Sequence, residues 1–115
     1  GKGRIVTINL EAGRPTVSEA LVRLNSELAH ARTKGASLAR IIHGYGSSGT
    51  GGKIREAVRK KLRTGAGKTR VRSFVAGDDY SDTTGRGKDL LSRHPQLKSS
   101  IRTDRNNPGI TFVEL

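Results

Sequence analysis

The chemistry-bearing stretch of this 115-residue chain runs from His43 to Lys53 and reads His43-Gly44-Tyr45-Gly46-Ser47-Ser48-Gly49-Thr50-Gly51-Gly52-Lys53. Five of the nine residues from Gly44 to Gly52 are glycine, more than a tight turn needs. Unobstructed backbone N–H groups, a helix N-terminus, and Lys53 and Arg55 close by would together hold a phosphate. The bland alternative is that the glycines only permit a sharp strand-to-helix turn. Gly44-x-Gly46-x-x-Gly49 also has the letters of a dinucleotide fingerprint, which wants an acidic residue about 20 positions further on for the ribose. Lys68 and Arg70 stand there instead. A Walker A loop fails too, because Gly52-Lys53 would need Gly at 47 and Ser or Thr at 54, where the chain has Ser47 and Ile54. General anion binding survives both tests.

His43 closes an apolar run, Leu38-Ala39-Arg40-Ile41-Ile42, and ligands of open α/β sheets gather beyond the carboxyl ends of strands. Two roles are open to it: proton transfer or phosphate contact, and a hydrogen bond that fixes the loop. Tyr45 could stack on a base or shield the loop from water. His30 and His94 are expected on solvated surface. Asp78, Asp79 and Asp82 could ligate Mg²⁺, the divalent cation a nuclease would use, or could cap a turn. From Lys53 to Arg72 nine basic residues (Lys53, Arg55, Arg59, Lys60, Lys61, Arg63, Lys68, Arg70 and Arg72) face a single acid, Glu56. This tract continues from the glycine loop along a helix into a strand, the footprint of a polyanion site.

The elements that must position these groups follow from periodicity. Ile5 to Leu10 alternates as a strand. Thr16 and Glu19 form a T-x-x-E capping box, and Val17, Ala20, Leu21, Leu24, Leu28 and Ala31 repeat at helical spacing. Leu38–Ile42 lacks alternation, as a central strand covered on both faces would. Ile54, Ala57, Val58 and Leu62 mark a second helix closed by Gly65, and residues 70–75 alternate as a basic third strand. Residues 77–107 read as a polar excursion with one short helix near Asp89–Arg93, before Asn107-Pro108-Gly109 turns into a last strand at Ile110–Leu115. The order is βαβαβ(α)β, which predicts an α/β fold and one domain over residues 1–115.

Composition narrows the function. Lys and Arg number 22 against 10 Asp and Glu, a net charge of +12. Leu, Ile, Val and Phe supply 26 residues, enough for a modest core. With no cysteine, disulfides, thiolate metal sites and cysteine catalysis are excluded, and a reducing, cytoplasmic setting is expected. No stretch reaches the ~18 apolar residues of a membrane span. Gly1-Lys2-Gly3-Arg4 leads into a strand-like run instead of a signal-peptide core, and the lack of an initiator Met reads as a trimmed start. Nucleic acid is the expected partner, with no membrane and no small-molecule substrate.

Ile41-Ile42-His43-Gly44-Tyr45-Gly46, the glycine run, Ile54-Arg55-Glu56-Ala57-Val58-Arg59, Thr16-Val17-Ser18-Glu19-Ala20-Leu21 and Gly109-Ile110-Thr111-Phe112-Val113-Glu114-Leu115 resemble the small MutS-related (Smr) domain family. His43-Gly44-Tyr45-Gly46 matches its His-Gly-x-Gly motif. The resemblance implies a stand-alone Smr-like domain. Its fold would be a two-layer sandwich with a four-stranded mixed sheet, similar to the C-terminal domain of translation initiation factor 3. It also implies nucleic-acid binding and, in several members, DNA-nicking or RNA-cleaving endonuclease activity. The family's Leu-Asp-x-His motif lines up with Leu10-Glu11-Ala12-Gly13, so Glu replaces Asp and the His is gone. Binding is therefore expected through Gly44, Tyr45, Gly46, Ser47, Ser48, Gly49, Gly51, Gly52, Lys53, Arg55, Arg59, Lys60, Arg63, Arg70 and Arg72. Cleavage would fall to His43 or Glu11 and be weak or absent. A ribosome-associated or structural RNA-binding protein without catalysis is the competing expectation, and a nucleotide-binding enzyme the third.

Overall fold

The computed structural model describes residues 4–11, 13, 15–44, 50–64, 73–80, 85–104 and 106–115. Strand β1 spans Ile5–Asn9, helix α1 Val17–Thr33, β2 Leu38–Ile42, α2 Thr50–Thr64 and β3 Ser73–Ala76. A 3₁₀ turn over Gly77–Asp79 then leads to α3 at Gly85–Arg93, a second 3₁₀ segment at Pro95–Ser100, the short α4 at Ile101–Asp104 and β4 at Ile110–Glu114. The sheet order is β1-β2-β4-β3. β1 and β2 pair in parallel, while β4 runs antiparallel to both β2 and β3. This is the expected mixed four-stranded α/β sheet, and β2 and β4 are its central strands.

α1 starts where the capping box predicts. The Glu19 N–H donates to Thr16 Oγ1 at 3.2 Å and the Thr16 N–H donates to Glu19 Oε1 at 2.8 Å. Such a cap is worth about 1 kcal/mol and fixes the first turn. Ala20, Leu24, Leu28 and Ala31 are buried at i, i+4, i+8 and i+11, so one stripe of α1 faces the sheet. Ile54, Val58 and Leu62 do the same for α2. Both helices share one apolar cluster with Val6, Ile8, Ala39, Ile41, Val113 and Phe74, which the strand register places on a single face.

The opposite face is also covered. Leu38, Val75, Ile110 and Phe112 point to it and form a second cluster with Tyr80, Leu90, Leu91 and Leu97. Tyr80 and Phe112 meet with ring centroids 4.6 Å apart and planes at 50°. The excursion after β3 therefore does more than its polarity predicts. It contributes α3, the second 3₁₀ segment and α4, a partial third layer beyond the two expected. Two charge constellations let so polar a segment pack. Arg40 grips the buried Asp104 with two hydrogen bonds, Nε to Oδ2 at 2.9 Å and Nη2 to Oδ1 at 2.6 Å. Glu114 accepts from Ser73 Oγ, from Arg93 Nε and Nη2, and from His94 Nε2, all within 3.0 Å. These donors, the Arg93 guanidinium first, hold the Glu114 carboxyl down to about 2. His94, expected on solvated surface, is instead buried at the end of α3 because Glu114 partners it.

Candidate functional site

β1, β2 and β3 point the same way, so their carboxyl ends meet the start of β4 at one end of the sheet. Leu10-Glu11, His43-Gly44, Gly77-Asp78 and Asn107-Pro108-Gly109 gather there, and α2 begins beyond the glycine loop. The gathering is tightest at two glycines. Gly44 takes φ +77°, a conformation that costs other residues strain, and a Cβ on it would sit 2.6 Å from Glu11 Oε2. The exposed Glu11 carboxylate thus lies over Gly44, and the structure brings Glu11 and the His43-Gly44 pair together. Gly77 is more constrained still, for a Cβ there would lie 1.9 Å from the Asn107 carbonyl oxygen and 2.7 Å from Ile110.

His43 is fully buried, on the same sheet face as Ile41 and Thr111. The backbone N–H groups of His43 and Gly44 both donate to the Gly109 carbonyl at 3.0 Å, which ties the end of β2 to the start of β4. The ring Nδ1 is 2.7 Å from the Gly44 carbonyl oxygen, which can only accept, so Nδ1 carries the proton. Nε2 is 2.8 Å from Thr111 Oγ1 and accepts its hydroxyl hydrogen. Burial, with the Arg59 and Arg55 charges adding to it, pushes the His43 pKa down to about 4. The ring is a neutral imidazole near pH 7, with both nitrogens in use.

Arg59, expected among the phosphate contacts, turns inward. Its Nε–H donates to Thr111 Oγ1 at 3.2 Å, and its Nη2 donates to Asp78 Oδ1 at 2.8 Å and to the Ile110 carbonyl at 3.2 Å. Only 14% of its side chain is exposed. Partial burial alone would raise the Asp78 carboxyl, but the Arg59 guanidinium, helped by a backbone N–H and the Arg55 charge, holds it below the usual range. Asp78 is therefore spent on Arg59, and among the described residues no group of three Asp, Glu or His side chains converges on a cation position. The Arg59 partners Thr111 and Asp78 carried no such role in the sequence reading. One signal was there: Arg55, Arg59 and Leu62 fall at i, i+4 and i+7, on the flank of α2 that turns inward.

Arg55, one turn before Arg59, is half-buried, close enough to act electrostatically on both His43 and Asp78, and unpaired by any side chain among the described residues. Lys53, Lys60 and Arg63 are exposed at i, i+7 and i+10, a single outward stripe on α2. Gly52 follows the loop as part of the first turn of α2, with the backbone of Gly51 before it. Tyr45, Gly46, Ser47, Ser48, Gly49, Arg70, Arg72 and Asp82 lie outside the described residues.

The charges available to an anion are Arg55 on the inner flank of α2 and the outward Lys53, Lys60 and Arg63. The polar floor of His43, Thr111 and Arg59 is internally satisfied, and Glu11 is an exposed carboxylate over Gly44. The family model of the Smr domain matches residues 13–88 of this chain. Among solved structures, the crystal structure of the Smr domain of Thermus thermophilus MutS2 is similar, with 28% identity and a TM-score of 0.55 over 97% of this chain and 96% of that one. Among curated proteins, none matches.

Proposed function

The chain belongs to the Smr domain family, and on that premise we propose that it binds nucleic acid through the sugar-phosphate backbone at the carboxyl end of its sheet. The observation that carries this reading is the outward stripe of Lys53, Lys60 and Arg63, which begins in the first turn of α2. A net charge of +12 supports the same partner, since each phosphate neutralised releases counterions. Backbone contacts supply affinity without sequence readout, so DNA and structured RNA are both substrates for binding. A Cys-free chain doing this work suits the cytoplasm.

Binding comes ahead of cleavage in this reading. His43, neutral and hydrogen-bonded at both nitrogens, is poorly placed to carry a proton to a leaving group. Among the described residues Glu11 over Gly44 is the candidate for general base work, and a nuclease lacking a second proton carrier forfeits the ~10²–10⁴ in rate that such help supplies. The test is to titrate labelled duplex DNA and hairpin RNA with the protein at several salt concentrations, and to incubate supercoiled plasmid with and without Mg²⁺. Replacing Lys53, Lys60 and Arg63 with Gln should weaken binding strongly and flatten its salt dependence. An affinity indifferent to salt would sink the proposal. Fast nicking that disappears in Glu11→Gln while binding persists would instead make the domain an enzyme first.

A further inference from the structure

We infer that Asp78, Arg59 and Thr111 form a positioning relay that locks the His43 ring and, through it, the Gly44 carbonyl at the root of the glycine loop. In its binding consequences this inference rests on the reading above. It assigns Arg59 the opposite role to its neighbours in the basic tract: Arg59 serves the phosphate site from behind, without touching phosphate.

The direction of every hydrogen bond in the relay is forced by its ends. Asp78 can only accept, from Arg59 Nη2. Arg59 can only donate, and its Nε–H fills an acceptor position on Thr111 Oγ1. The Thr111 hydroxyl hydrogen is then free to go to His43 Nε2. That leaves Nδ1 as the protonated nitrogen, aimed at the Gly44 carbonyl. Reversing the bond between the fully buried Thr111 and His43 would leave Nδ1 unprotonated and set it against the Gly44 carbonyl as two facing acceptors.

The four groups come from four separate pieces of chain: α2, the turn after β3, β4 and the end of β2. Arg59 Nη2 also reaches the Ile110 carbonyl, so the same side chain grips the backbone of β4. Downstream of the relay lies Gly44, whose left-handed backbone launches the loop and whose open side admits Glu11. A fixed Gly44 peptide fixes the end of β2 beside Glu11. With Arg59 neutralised by Asp78, the half-buried Arg55 and the exposed lysines of α2 supply the positive field toward solvent.

The test has two arms. The first reads the His43 tautomer directly, by imidazole ¹⁵N chemical shifts in the unaltered protein. The expected result is Nδ1–H. An Nε2–H tautomer would overturn the relay, and this arm needs neither a variant nor a ligand. The second arm measures affinity for duplex DNA against salt. Thr111→Val and Arg59→Gln should each weaken binding roughly 5- to 10-fold, the scale of one lost hydrogen bond, with the salt slope unchanged. Thr111→Ser, which keeps the hydroxyl, should bind as the parent does, and the Thr111→Val/Arg59→Gln double variant should be no weaker than its worse single. Lys60→Gln should by contrast lower the slope by about 0.9, the mark of a direct phosphate contact. A slope change of that size in Arg59→Gln, with Thr111→Val binding normally, would overturn the assignment. If the unaltered protein binds no nucleic acid, the proposed function fails while the tautomer still decides the relay.

Discussion

The two faces of the sheet are held by different chemistry. On one, α1 and α2 bury leucine, isoleucine and valine stripes against Ile8, Ala39, Ile41 and Val113. On the other, a thinner apolar cluster around Phe112 and Tyr80 is fastened at its margins by Arg40 with Asp104 and by Glu114 with Arg93 and His94. Apolar burial is non-directional and scales with area, so the first face should tolerate reshaping that conserves volume. Paired charges taken out of water are directional, and losing one partner strands the other. The second face should be brittle to single changes and forgiving of matched ones.

The largest effect should come from opening a cavity on the first face. Leu24 is fully buried between α1 and the sheet, and Leu24→Ala should lower stability by roughly 3 to 4 kcal/mol in urea unfolding. Asp104→Ala should come close behind, at about 3 kcal/mol, because Arg40 is left without its carboxylate in a largely buried place. What sharpens the comparison is the pair Arg40→Met with Asp104→Leu. It should recover most of that loss, whereas a second cavity on the first face would only add to it. A double variant as unstable as Asp104→Ala would mean that the second face is held by shape, as the first is.

Acid should act next, on the polar patch set into the apolar face. The His43 pKa of about 4 lies below its ordinary 6.5, so between these values the unfolded chain binds a proton that the folded one refuses. Stability is therefore lost as pH falls through that window, by on the order of 2 kcal/mol from pH 7 to pH 5 for His43 alone. Glu114, held near 2, adds its own loss only below about 4.5, as its carboxylate is titrated in the unfolded chain. Urea midpoints that stay level from pH 7 to pH 5 would rule out a neutral, buried His43. The smallest effect belongs to Arg93→Ala. Its bonds to Glu114 are short, but half of the Arg93 side chain is in water, and under about 1 kcal/mol should be lost.

Legibility in the sequence followed the same division. Thr16 and Glu19 announced α1 to the residue, and the apolar repeat on each helix named the first face, because local capping and a 3.6-residue period are written in adjacent letters. The meeting of Glu11 with His43-Gly44 was also visible, since strands that run parallel in one sheet must bring their ends together. The second face was not. Leu90, Leu91 and Leu97 are sparse among polar neighbours, and they become core only against Leu38, Val75, Tyr80, Ile110 and Phe112, which other segments of the chain supply. Arg40 in the middle of Leu38-Ala39-Arg40-Ile41-Ile42 was the one letter that pointed there, as a charge in a strand covered on both sides requires a buried counter-charge. In the basic tract the letters of Arg59 and Lys60 look equivalent, and only helical phase separates the side chain that braces the site from the one that faces solvent.

β4 lies between β2 and β3, yet it is the fourth strand in chain order. During synthesis, then, β1 and β2 can zip together as soon as α1 has formed, while β3 waits with no neighbour until residues 110–114 arrive. Thr111 arrives with them, so His43 spends that interval beside the strand pair with no hydroxyl for its Nε2. Closing the sheet and assembling the site are in this way a single late event, one that demands contacts across most of the chain at once. A nascent or truncated chain stopped short of β4 would carry the basic helix without the frame that aims it, and would open one further strand edge on each of β2 and β3.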